Sequence, residues 1–117
     1  MPEAGQIIVE RIPNASILAL FGEHDIATAP DLRTELDALI ATGTKVIVDL
    51  SEATFIDSSV VSALFHAAAN SGRIAAIAAP RGSMPRHLID MVALSASVPT
   101  FVSRAAAVAH ATTGADS

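Results

Sequence analysis

Val46-Ile47-Val48-Asp49-Leu50 constrains this chain more than any other segment. A strand with one wet face alternates apolar and polar residues. Here only Asp49 breaks an otherwise apolar run rich in β-branched side chains. That pattern is expected of a strand covered on both faces, the usual condition of parallel strands flanked by helices.

Shorter runs of the same kind recur. Gln6 to Ile12 and Ile17 to Phe21 read as two strands of a hairpin around Pro13-Asn14, Ile74 to Ala79 as another buried strand, and Pro99 to Val102 as a short one. Between them lie helical spacings. Thr28 reads as an N-cap with Pro30 in the first turn and Asp31 three residues on; Leu32, Leu36, Leu39 and Ile40 follow, and Gly43 suits the stop. A second helix is predicted from about Ser59 to Ser71, ahead of Gly72. Pro85 opens a third, with Leu88, Ile89 and Val92 inward, and Ser103 caps a last one to about Ala111. Gly22-Glu23-His24-Asp25 and Pro80 to Pro85 read as loops, and Thr112 to Ser117 as a frayed tail. This order predicts an α/β fold: a mixed, mostly parallel sheet of four to five strands packed with about four helices. The 117 residues suit one domain, 1–117, with an ordered core of about 6–111.

Composition narrows the function classes. The net charge is -5 and the 7 basic residues form no run, which argues against a nucleic-acid partner. There is no cysteine, hence no disulfide, thiolate nucleophile or Cys-based zinc site. Met1 to Gln6 has neither a basic n-region nor an apolar h-region, and no apolar run approaches membrane-spanning length. A cytoplasmic protein without membrane insertion is expected, which leaves the Asn14-Ala15-Ser16 sequon chemically idle. His24, His66, His87 and His110 have no metal-ligating spacing, and the glycine patterns of phosphate loops are missing, so neither metal nor cofactor is expected.

The chemistry concentrates at Phe55-Ile56-Asp57-Ser58-Ser59-Val60, where a strand pattern gives way to an amphipathic helix. Hydroxyls at a helix N-terminus lie where free N–H groups and the macrodipole favour an anion, a natural place for a phosphate. At 100° per residue, Val61, Leu64, Phe65 and Ala68 fall on the arc expected to face the sheet. Ser59, Ser62, Ala63, His66 and Asn70 fall on the opposite arc, small and uncharged enough for a partner to approach closely. Asp57, Ser59 and His66 are the residue types of a hydrolase triad. However, Ser59 and His66 are separated by roughly 10 Å of helical rise, too far for a hydrogen bond, and no nucleophile elbow is present. No enzyme is expected. Topology should gather Gly22 to Asp25, Phe55 to Ser59 and Arg81 to Arg86 at the carboxyl ends of the strands. Asp49 reads as a strand-end residue bonding the next turn.

Val46-Ile47-Val48-Asp49-Leu50-Ser51 with Phe55-Ile56-Asp57-Ser58-Ser59 resembles the signature of STAS domains, the anti-sigma factor antagonists. Gly22-Glu23-His24-Asp25-Ile26-Ala27-Thr28-Ala29-Pro30 resembles the family's G-x-x-D loop and helix start, and the element order matches from about Ile7 to Ala111. The resemblance implies a switch. The second serine of the D-S-S element, Ser59, would accept phosphate from an anti-sigma factor that is also a serine kinase, supported by Asp57, Asp25 and Ser58. The unphosphorylated form would bind that partner and free a sigma factor, and a serine phosphatase would reset it. The surface so implied comprises Glu23, His24, Ser59, Ser62, Ala63, His66, Arg81 and Arg86. The alternative is a constitutive scaffold subunit of a transport or signalling complex, never phosphorylated. Val60 stands where the family usually has glycine, and its branched side chain is expected beside Ser59, narrowing kinase access.

Overall fold

The computed structural model describes residues 5–113. Among them the chain runs β1 (Gln6–Ile12), β2 (Ala15–His24), α1 (Ala29–Ala41), β3 (Lys45–Ile56), α2 (Ser58–Ser71), β4 (Ile74–Ala78), α3 (Met84–Met91), α4 (Leu94–Ser97), β5 (Thr100–Phe101) and α5 (Arg104–Thr112). The short α4 has no counterpart in the sequence reading. The expected frayed tail begins inside α5 at Thr112 and, from 114 on, lies outside the described residues.

The strands form one sheet in the order β1-β2-β3-β4-β5, antiparallel between β1 and β2 and parallel thereafter. The hairpin turns at Pro13-Asn14, where Asn14 takes a left-handed φ of 71° that asparagine tolerates. Each parallel step then requires a crossover, and crossovers of one hand advancing in one direction place their helices on one face. Leu18, Leu20, Val46, Val48 and Leu50 meet Leu32, Leu36, Val60, Leu64, Ile89 and Leu94 there in the larger core. On the other face Ala15, Ile17, Ile47, Ala76 and Ala78 meet Ala107 and Ala111 of α5. The alanine bias thus has a packing reason: small residues on both surfaces let α5 lie close to the strands.

Two strands exceed their predicted lengths. β2 was expected to end at Phe21 and β3 at Leu50, yet β2 continues through the expected loop to His24 and β3 to Ile56. Register shifts between Ala19 and Phe21 and between Gly22 and Glu23 change the phase of the pairing, with Gly22 at a φ of 81°. Since β1 pairs only as far as Gln6 with Phe21, and β4 only to Asp49 with Ala78, the ends of β2 and β3 run on as a two-stranded ribbon. That ribbon carries the candidate site.

Asp49 does more than bond the next turn. Its Oδ1 accepts from Ser51 N–H at 2.9 Å, and its Oδ2 accepts from Arg104 Nε at 2.7 Å; the same guanidinium reaches Glu10 Oε1 at 3.1 Å. α5 is thereby tied to β3 and β1. Burial works against ionisation of this carboxyl, but hydrogen bonds from Ser51 and Arg104 outweigh it and hold it below the usual carboxylate range. A depressed native pKa contributes stability above the unfolded value of about 3.9, which is lost as pH falls through the folded value. Asp49→Asn is therefore expected to lower stability by about 2 kcal/mol at pH 7. In urea titrations the gap to wild type should narrow below about pH 4; a gap unchanged at acid pH would count against this account.

Candidate functional site

At the end of β3 the chain turns into α2, and Asp57 caps the helix. Its backbone is extended (φ -115°, ψ -174°), and its Oδ1 accepts from Ser59 N–H at 3.0 Å and Val60 N–H at 3.3 Å. The same oxygen accepts the Ser59 hydroxyl at 2.5 Å. Burial would raise the Asp57 carboxyl, but bonds from the Ser59 hydroxyl and the Val60 and Ser59 N–H groups hold it lowered and ionised. A carboxylate of depressed pKa is a weak base, so its clearest chemical role is to orient the hydroxyl and take up its proton late in any transfer. Ser59 is half-buried and Ser58 exposed.

This geometry corrects one expectation. The helix N-terminus was read as a ready anion site, but the N–H groups of Ser59 and Val60 already face Asp57. A phosphate on Ser59 would lose the hydroxyl proton that bonds Asp57 and stand beside a carboxylate of like charge.

The helix face is also corrected. Val60, Val61, Ala63, Leu64 and Ala67 are buried, whereas Phe65, expected inward, is 36% exposed and Ala68 half-buried. Ala63, expected outward, lies inward because α2 packs against α1 as well as the sheet, which moves the buried arc round. Ser62, His66 and Asn70 do lie outward, with Asn70 Nδ2 2.8 Å from His66 Nε2. They line, with Arg33 and Asp37 of α1, an open cavity of about 530 Å³ between the two helices. Val60 is fully buried in the core, so it does not crowd the approach to Ser59.

The remaining expected residues divide between the ribbon and α3. Glu23 is exposed and pairs in register with Phe55; His24 pairs with Ile56, so Asp25 and Asp57 emerge at the same end of the ribbon. His24 itself is buried, which removes it from any contact surface. Arg81 is exposed in the turn after β4. Arg86 is engaged within the fold, donating to the Ala79 carbonyl at 2.9 Å and pairing with Asp90 at 3.2 Å. Sequence reasoning missed three exposed apolar residues at this edge: Ile26, Phe55 and Met84. Their signal was an apolar side chain in or beside a turn, out of phase with its strand or helix.

Gly5 shows how closely the N-terminal strand approaches here. A Cβ on it would fall on the Glu23 carbonyl oxygen and 2.7 Å from His24 Cε1 and Nε2. Gly5→Ala is expected to destabilise the fold by about 1–3 kcal/mol through this overlap. An unchanged urea midpoint would show that β1 can shift without cost.

The STAS domain family model matches residues 6–107. The chain belongs to the STAS domain family. Among solved structures this STAS domain is similar to an anti-sigma factor antagonist from Mycobacterium paratuberculosis, at 23% identity and a TM-score of 0.87, with 95% of this chain and 97% of the other covered. It is also similar to the Bacillus cell fate determinant SpoIIAA in its phosphorylated form (18% identity, TM-score 0.65, 88% and 96% covered). A third similar structure, a putative anti-sigma factor antagonist from Thermotoga maritima, has 17% identity and a TM-score of 0.70, with 90% and 93% covered. At these identities the likeness is one of fold. No curated protein matches. Among the described residues no helix of the STAS domain is long and apolar enough to cross a membrane.

Proposed function

We propose that this STAS domain is a cytoplasmic regulatory module, without catalytic chemistry of its own, that binds an anti-sigma factor bearing serine kinase activity and so frees a sigma factor. Phosphorylation of Ser59 releases the partner, and a serine phosphatase restores binding. The observation that carries this reading is the Ser59 hydroxyl, oriented by Asp57 at 2.5 Å on the exposed end of the β2–β3 ribbon. The similar fold of SpoIIAA, known in a phosphorylated form, supports it. Glu23, Asp25, Ser62, His66 and Arg81 are exposed and offer polar contacts to the partner.

The test is incubation with the cognate kinase and ATP, followed by peptide mapping. Phosphate is expected on Ser59 and lost in Ser59→Ala. The switch is refuted if Ser59 stays unmodified and Ser59→Asp leaves partner affinity at the wild-type value; that pair of results would favour the constitutive scaffold.

A further inference from the structure

Strand β1 forms one edge of the sheet, and among the described residues no strand pairs along its outer side. The opposite edge, β5, has 2 residues, whereas β1 has 7. Every second residue of an edge strand turns its N–H and C=O away from the sheet, a template for another strand. Proline, a bulge or a central charge commonly blunts such an edge. Between Gln6 and Val9 there is none of these, and the register with β2 is unbroken from Gln6 to Ile12.

The side chains of β1 alternate between the two faces. Ile7 and Val9 are half-buried against the larger core, whereas Ile12 packs on the smaller one. Ile8 shares the face of Ile12, the face that carries α5. That helix packs on β3, β4 and β5, and its Arg104 reaches Glu10 of β1. Ile8 is nevertheless left 49% exposed, a β-branched apolar residue in mid-strand beside an open edge.

We propose that β1 pairs antiparallel with β1 of a second copy of this chain, joining the two sheets into one continuous sheet. A twofold axis normal to the sheet keeps each residue on its own face, so only a few registers are open. Centred on Ile8, the pairing sets Ile8 against its own copy, Ile7 against Val9 and Gln6 against Glu10. Apolar then meets apolar on both faces. The Gln6 amide donates to the Glu10 carboxylate, where Arg104 uses Oε1 and leaves Oε2 for it. Arg11 falls opposite Gly5, so no like charges meet.

Other registers match less well. Centred on Val9, Ile8 would face Glu10 and Ile7 would face Arg11. Centred on Glu10, two carboxylates would oppose each other, which is destabilising. Centred on Ile7, the strands would overlap over a shorter stretch. Ser59 does not lie on β1, so the dimer is independent of its reading as a phosphoacceptor. Pairing of Gln6 to Glu10 on each side is small beside interfaces of about 1,200–2,000 Å², so a Kd of about 10–100 µM is expected.

Sedimentation equilibrium of the full chain, from about 5 µM to about 1 mM, reads this self-association directly. Ile8→Lys and Ile8→Glu each set like charges across the axis, and each should weaken the dimer about tenfold. An equimolar mixture of the two should associate about tenfold more tightly than either alone, because the charges then oppose. Gln6→Lys, which faces Glu10, should tighten the dimer about threefold, a gain that no loss of folding could mimic. The proposal is overturned if the wild-type chain stays monomeric at the highest concentration, or if the mixture gains nothing. It is equally overturned if Ile8→Lys associates as tightly as wild type or more so, the outcome of the register centred on Val9.

Discussion

Val60→Gly is expected to lower the unfolding free energy by about 3 kcal/mol without quickening phosphorylation of Ser59. Val60 is fully buried in the larger core, one residue past the half-buried Ser59. Removing its branched side chain forfeits the transfer free energy of the lost methyl groups and leaves a cavity beside Val61 and Leu64, which share that core. Glycine adds backbone entropy in the first turn of α2. Read from the sequence alone, the same substitution promised steric relief at the acceptor. The two accounts differ in what they move: one lowers the urea midpoint, the other raises the phosphorylation rate. A stable Val60→Gly variant with faster phosphoryl transfer would overturn the core assignment.

Phosphorylation of Ser59 is expected to weaken partner binding about a hundredfold or more. The group adds about -1.5 to -2 charges and three acceptor oxygens. The N–H groups of Ser59 and Val60 are already taken by Asp57, and Asp57 itself repels the new charge. On docking, the phosphate must then be desolvated without those two donors, at about 3 kcal/mol or more, and each 1.4 kcal/mol is tenfold in affinity. Ser59→Asp, with a single charge and a shorter reach, should weaken binding by about tenfold. Calorimetric titration of the partner into the two phosphorylation states provides the check. Equal affinities would mean that the interface does not include Ser59.

The residues of the site were legible because their local chemistry is distinctive. Asp57, Ser58 and Ser59 stand where a strand pattern meets a helical one, and the structure puts the cap and the hydroxyl bond there. The lengths of β2 and β3 were not legible. Beyond Leu50 the run Ser51-Glu52-Ala53-Thr54 has no apolar continuity, and the ribbon persists because the two strands pair with each other across shifted registers. Neither segment carries that information by itself. The roles of His24 and Arg86 were hidden for a similar reason. Each looked like a surface cation or donor in a loop, but each finds its acceptors on backbone carbonyls brought close by the fold.

The sequence by itself determined the α/β order, the parallel sheet after an opening hairpin, and the D-S-S turn at the head of α2. These follow from local periodicity and capping, which need only neighbours in the chain. Tertiary structure alone decided which arc of α2 is buried, because α1 covers the flank bearing Ala63. It also decided that Val60 belongs to the core, that Arg104 reaches Asp49, and that His24 turns inward to Thr28. Those contacts join residues from separate elements, or turn a side chain inward, and their energy exists only once the layers have packed.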